Sequence, residues 1–301
     1  MEINIRNFIR VGFFTLLFFL SGFLGVPSEV DRKDKEGFTR SDLKYIIAQV
    51  KNEQLEDEYL EKIFFNQNLK RYSYLVNMNV VNRVPDNMYK KFTSPYSVFL
   101  AKKFSKKWRT LLKRASRKFK VDQEVIVSIL LIETNFGKIL GRKPILSVFS
   151  SIIIENHPKY KESLFADISK KYPDIDREYF DKRIEAKADW ALEELKALLI
   201  LGQNSKINPL NIKGSYAGAF GIPQFLPSSY MKWGYDSDKN GFVNLFLFPD
   251  AIYSTANYLN SHGWKPNLKL KDKRKVIFNY NRSNDYVSAV LKLARLLKKQ
   301  T

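Results

Sequence analysis

The sequence predicts a mainly α fold, and three observations carry that reading. Apolar residues recur at three- and four-residue spacing between Thr39 and Phe65. An apolar run of helical length, Val125 to Ile132, lies between a capping Asp122 and Gly137. The Gly, Pro, Asn and Asp residues that break such patterns gather in one stretch, residues 208–250. Any sheet is confined to the region after Gly234, a small irregular or β region near residues 234–250.

Taken in order, the elements begin with Arg6 and Arg10 ahead of an apolar run from Val11 to Val26. The run is shorter than the roughly 20 residues that span a bilayer. Residues 1–26 therefore read as a signal peptide or an uncleaved membrane anchor, and both mean export to the periplasm or cell envelope, anchored at the inner membrane in the second case. Residues 27–37 are a polar linker. Residues 38–95 form an N-terminal helical segment, with Ile46, Ile47 and Val50 and then Leu55, Tyr59, Leu60 and Ile63 on its apolar faces, and with Thr39 or Ser41 as the first cap. Its second half is less regular, with breakers at Pro85 and Pro95. Residues 96–301 form the main domain. There Ser97–Phe119 reads as one long basic helix and Glu124–Thr134 as an apolar one. A polar middle follows, then helices over 176–201, 251–262 and 284–299.

Composition narrows the chemistry. The 301 residues carry 51 Lys and Arg against 31 Asp and Glu, a net charge of +20, which favours an acidic partner without naming it. Basic stretches such as Lys102–Lys120 and Lys265–Lys275 read first as solvated faces. Nucleic acid is not expected, because neither a glycine-flanked aromatic RNA signature nor zinc-finger spacing is present. Cysteine is absent, which excludes disulfides, thiolate metal sites and a cysteine nucleophile. With only His157 and His262, catalysis falls to carboxylates.

Glu133 is the first candidate. It ends the run Val125-Ile-Val-Ser-Ile-Leu-Leu-Ile132, and a carboxyl desolvated by such a surface has a raised pKa and stays protonated. A protonated carboxyl suits a departing glycosidic oxygen. The plainer alternative is a helix-end Glu that points to water. The second candidate is Gly214-Ser-Tyr-Ala-Gly-Ala-Phe-Gly-Ile-Pro-Gln-Phe-Leu-Pro-Ser-Ser-Tyr230. Gly214, Gly218 and Gly221 permit close backbone approach to a ligand. Gln224 offers a donor and an acceptor, and Tyr216, Phe220 and Phe225 offer rings for stacking on sugars. An ordinary Gly-rich turn is the alternative.

Together these segments resemble a known family. Ile132-Glu-Thr-Asn-Phe-Gly137, with Gly141 and Ile145-Leu146, resembles the catalytic motif of lytic murein transglycosylases of the membrane-bound B type. Residues 208–230 resemble that family's second motif in order and spacing. Tyr280-Asn281, with Ser283 and Tyr286, resembles its third. The resemblance covers about residues 89–295. It implies a lysozyme-like fold and cleavage of the β-1,4 bond between N-acetylmuramic acid and N-acetylglucosamine, with 1,6-anhydro-muramic acid ends. It also implies a single catalytic Glu at Glu133, and glycan-cleft positions at Ser215, Gln224, Tyr258, Tyr280, Asn281, Tyr286 and Tyr89. No cofactor is required for this chemistry. A muramidase using water and a non-catalytic peptidoglycan-binding protein are the rival readings. The expected partner is the peptidoglycan glycan strand, with the membrane engaged through the N-terminus, and the expected state is a monomer.

A third segment, Asp236-Ser-Asp-Lys-Asn-Gly-Phe-Val-Asn-Leu245, follows the order of an EF-hand loop. It has oxygen ligands at Asp236, Asp238 and Asn240, then Gly241 and the Phe242 carbonyl. Leu247 stands where the closing Glu would be, and Asp250 three residues on supplies the carboxylate instead. The loop is either a structural calcium site or an Asx-rich turn without an ion.

Overall fold

A computed structural model of the chain describes residues 37–66, 69–81, 88–205 and 207–298. The signal-peptide or anchor segment and nearly all of the linker lie outside these residues. Among the described residues no helix is long and apolar enough to cross a membrane.

Among the described residues, thirteen α-helices and one 3-10 turn account for almost all of the regular structure. The first three are α1 (Arg40–Val50), α2 (Asp57–Phe64) and α3 (Ser73–Val81). Thr39 is the cap at the start of α1, through a reciprocal pair in which its hydroxyl accepts from Asp42 N and the Asp42 carboxylate accepts from Thr39 N. After a 3-10 turn at Lys90–Thr93 come α4 (Pro95–Lys107) and α5 (Arg109–Phe119). The expected single helix over 97–119 is thus two. Trp108 leaves helical backbone geometry between them, its ring packed 5.1 Å from that of Phe248.

Two helices are buried all round and organise the rest. In α6 (Gln123–Thr134) every residue from Val125 onward is buried, and in α7 (Ile145–Glu155) every residue is. α1 and α3 lie against α7, and so do α8 (Pro158–Lys171) and the 28-residue α9 (Arg177–Asn204). Phe149 of α7 meets Trp190 of α9 edge-on at 5.8 Å. Around α6 lie α4, α5, α11 (Phe248–Ser261) and α13 (Asn284–Lys298). The short α10 (Pro227–Trp233) bridges α9 and α11, and α12 (Leu270–Tyr280) packs on α11 and α13.

The segment expected to be a polar middle therefore contains α7 and α8. α7 is apolar on every face, so it has no amphipathic period to mark it. Its buried serines hold the chain before α3: Ser147 and Ser151 hydroxyls accept from the Lys70 and Tyr72 amides.

The small sheet is not in residues 234–250. It pairs β1 (Lys143–Pro144) with β2 (Lys213–Gly214), antiparallel, with Lys143 opposite Gly214. In 234–250 side chains take the amides a ladder would need: Gly241 N donates to Asp236, Phe242 N to Asn240 and Asn244 N to Asp250.

Glu155, at the end of α7, is paired with Arg71 at 2.7 Å, both nearly buried, and the guanidinium lies 3.6 Å from the centre of the Tyr160 ring. Removing one partner of a desolvated pair leaves the other charge buried with less compensation. Arg71→Met should cost about 3–5 kcal/mol in urea unfolding. Arg71→Met with Glu155→Met should recover most of it; a single variant as stable as wild type would show that the pair is not desolvated.

Candidate active site

Glu133 stands in the last turn of α6 and is fully buried. The Tyr286 hydroxyl, from α13, donates to its Oε1 at 2.5 Å. The other carboxyl oxygen, Oε2, is buried without a hydrogen-bond partner among the described residues. Burial pushes the Glu133 pKa up to about 8, and the bond from Tyr286 pulls back against it. The group is therefore a neutral acid at neutral pH, as the apolar run predicts. The water-facing alternative is excluded by its burial.

α13 runs antiparallel to α6, which sets this contact. At the far end of the pair the Lys298 ammonium holds the Asp122 carboxylate at 2.7 Å, and Lys273 approaches the same group at 3.5 Å. Asp122 sits at the expected cap position, but its side chain makes no cap bond to α6.

Tyrosines enclose the carboxyl. Tyr89 meets Tyr286 edge-on at 5.8 Å. Burial raises the pKa values of Tyr89, Tyr280 and Tyr286, and the Glu133 charge raises them further. Ser283 and Asn281 in the α12–α13 turn act against that rise at Tyr89. Asp285 is exposed and does not reach Glu133.

The loop over 214–226 is fastened to this cluster. Thr134, next to Glu133, donates its hydroxyl to Ile222 O at 2.9 Å and accepts from Gly137 N at 2.9 Å. Tyr280 donates to Pro223 O at 2.5 Å. Gln224 follows in the left-handed region at φ 55°; its Nε2 donates to Gly221 O at 2.6 Å and its buried Oε1 has no partner among the described residues. Tyr258 closes the aromatic side, 4.8 Å from the Tyr280 ring, with its hydroxyl donating to Asn279 O at 2.7 Å.

Glu133 and Tyr286 thus meet directly and Tyr89 packs on Tyr286, with Tyr280, Gln224 and Tyr258 attached through the loop and the ring stack and Asn281 buried in the turn after α12. Ser215 does not join them. Its hydroxyl accepts from Ala217 N and Ala219 N and shapes the loop from inside. Phe220 and Phe225 are core residues, not sugar platforms. The glycines face protein too: a Cβ on Gly218 would lie 2.1 Å from the Phe149 ring, and one on Gly221 2.5 Å from Leu245 Cβ, both at positive φ. Residues that the sequence reading did not single out include Thr134, the pin of the loop, and Trp233, whose ring lies 4.6 Å from Tyr258. Thr134 carries no signal beyond its place beside Glu133.

Where the loop before α11 meets the first turn of that helix, carboxylate oxygens of Asp236, Asp238 and Asp250 lie within 4.8 Å of one another. None of the three is paired with a cationic side chain among the described residues. Asp250 is buried and anchors the loop, accepting from Ser237 N, Ser237 Oγ and Asn244 N. Asn240 donates to Asp238 and accepts from Phe242 N. Three clustered carboxylates with an amide oxygen beside them are a donor set suited to a hard cation such as calcium.

Comparison with known proteins turns this geometry into a family assignment. Residues 31–273, well over half of the chain, match the family described as transglycosylase SLT domain. The chain belongs to that family. This transglycosylase SLT domain is 32% identical over 175 residues to membrane-bound lytic murein transglycosylase B of Escherichia coli (strain K12), a match covering 58% of this chain and 41% of that protein. The chain therefore matches less than half of the length of that relative. Its fold is that of the lysozyme-like lytic transglycosylase Slt35 of Escherichia coli, solved in complex with calcium: TM-score 0.66, 22% identity, covering 89% of this chain and 97% of that one. SltB3 of Pseudomonas aeruginosa, solved with NAG-anhNAM-pentapeptide, is also similar, with TM-score 0.66, 17% identity and coverage of 85% and 78%.

The raised pKa has a consequence for stability. A carboxyl whose folded pKa lies above its unfolded value stabilises the fold most below that unfolded value, 4.5, and the contribution is lost as pH rises through about 8. The Glu133→Gln side chain never ionises. The variant should therefore gain on wild type by a few kcal/mol between about pH 5 and pH 9. Urea unfolding across that range checks it, and a gap that stays constant with pH argues against a buried acid.

Proposed function

We propose that this chain is a peptidoglycan lytic transglycosylase with Glu133 as its single acid and base. The observation that carries the reading is a fully buried carboxyl with one oxygen held by Tyr286 and the other without a partner among the described residues, an environment that raises its pKa. It is joined by the family membership and by relatives named as lytic transglycosylases. The catalytic unit spans residues 96–301, with the helical segment of 38–95 beside it.

In this mechanism Glu133 donates its proton to the glycosidic oxygen between N-acetylmuramic acid and N-acetylglucosamine, and the C1–O bond breaks. The carboxylate then takes the proton from the muramic C6 hydroxyl as that oxygen bonds to C1, which leaves the 1,6-anhydro ring and the acid restored. The acetamido group at C2 supports the positive charge at C1, so no second carboxylate is needed. The tyrosine cage suits this sequence. Burial keeps the acid neutral before transfer, and Tyr286 remains as a donor to the carboxylate formed after it. Gln224, Tyr280, Asn281, Tyr89 and Tyr258 line the glycan cleft, while Ser215 supports the loop. A well-oriented C6 hydroxyl has an effective concentration of up to about 10⁵ M or more, far beyond that of water.

The +20 charge suits a wall polymer carrying carboxylates. Residues 1–26 direct export and leave the enzyme in the periplasm, released or anchored. The Asp236–Asp250 loop holds calcium as a structural ion, supported by the clustered carboxylates and by the calcium complex of Slt35. Asp236, Asp238 and Asp250 would supply carboxylates, Asn240 its amide oxygen and Phe242 its carbonyl.

Three outcomes test this. Glu133→Gln should keep the wild-type circular dichroism and lose wall lysis by several orders of magnitude, since both proton transfers use one group and each contributes about 10²–10⁴-fold. Mass spectrometry of fragments from purified sacculi should show anhydro-muramic ends; mainly reducible ends would make the enzyme a muramidase. Millimolar calcium should raise the melting temperature of wild type and not of Asp238→Ala. Equal indifference of both proteins removes the ion from the account.

A further inference from the structure

The pair α4–α5 carries the most one-sided charge of the chain. Between Asp86 and Asp122 there are twelve Lys and Arg and no Asp or Glu, and all twelve side chains are exposed. Elsewhere acids are interspersed with the bases and some pair with them, as Glu162 and Asp181 do with Arg177. Among the described residues Lys103, Lys106, Lys113, Arg114 and Arg117 have no carboxylate partner. The acids nearest in the packing are already engaged: Asp122 with Lys298 and Lys273, Asp250 with its own loop, and Glu133 inside the site.

The outward stripe of α4 adds a second feature. Tyr96 is 66% exposed and Phe99 59%, three residues apart, and Lys103 and Lys106 continue the same stripe. The opposite face, with Ala101 and Phe104, is buried. An outer face made of two aromatic rings followed by lysines has no role in the internal packing. A soluble polyanion would neutralise the bases and leave both rings in water. A bilayer interface accommodates both, with rings at headgroup depth and ammonium groups against phosphates.

We propose that α4 and α5 form a peripheral docking surface for an anionic lipid bilayer. This contact is separate from residues 1–26. It would hold the face next to the site toward the membrane, since α4 packs on α6, the helix that carries Glu133.

The test is hydrogen exchange of the full chain with vesicles of phosphatidylglycerol and phosphatidylethanolamine, against vesicles of phosphatidylcholine, at about 0.15 M salt. Residues 95–120 should gain protection with the anionic vesicles alone. Combining Lys103→Glu, Lys106→Glu, Lys113→Glu and Arg117→Glu should weaken vesicle affinity at least a hundredfold, since each basic residue contributes about fivefold. Tyr96→Ser with Phe99→Ser leaves the net charge unchanged and should weaken it about tenfold. All six positions are exposed, so matching melting curves will show that the variants fold. Protection confined to residues 1–36, or none in 95–120, overturns the proposal. So does equal protection by soluble polyglutamate together with indifference to the two ring substitutions, which would make the partner a polymer and not a lipid.

Discussion

A carboxyl group without water must find a partner or keep its proton, and the site is arranged around that constraint. Glu133 ends a helix buried on every side, where an ionised carboxylate would be strongly penalised. One phenolic hydroxyl reaches it, and one is enough to orient the group without ionising it. Had α13 offered a lysine in place of Tyr286, the attraction would have pulled the proton off and left a carboxylate unable to donate.

The neighbouring backbone follows from fixing that helix end. Asn135, Phe136 and Gly137 all have positive φ, so the chain leaves α6 through three successive left-handed residues. That is costly for a residue as large as Phe136. Its ring stacks on Phe104 at 4.0 Å and 4°, which offsets the strain and ties the exit to α4. Thr134 then joins the same exit to Ile222, so the carboxyl and the loop that faces it share a support.

Much of this was legible in the chain. The run 125–132 is long, apolar and closed by a turn, and it gave both the helix and the raised acidity of Glu133, because burial of a whole helix leaves its last residue no water. Thr39 and Ser41 were both candidate caps for α1, and the reciprocal pair with Asp42 decides for Thr39. α7 was not legible for the opposite reason: Ile145-Leu-Ser-Val-Phe-Ser-Ser-Ile-Ile-Ile154 is buried on all faces and rich in β-branched residues, so it has no period to read. Ser215, Phe220 and Phe225 have side chains suited to sugars, and only their burial shows them to be structural. The break at Trp108 follows from ring packing against Phe248, a partner 140 positions away, which no local pattern reports.

The distance along the chain between the two members of the Glu133–Tyr286 bond has a bearing on when the site exists. They are 153 residues apart, and Gln224 and Tyr280 lie between them. Contacts so far apart in sequence close late in folding, after the loop-closure entropy of the intervening chain has been met. A chain still emerging from synthesis or translocation has α6 and its acid long before it has α13. Until that last helix docks, the acid has no orienting partner and the loop lacks the Tyr280 tie. With the activity proposed above, the chain would stay incompetent until α13 has docked.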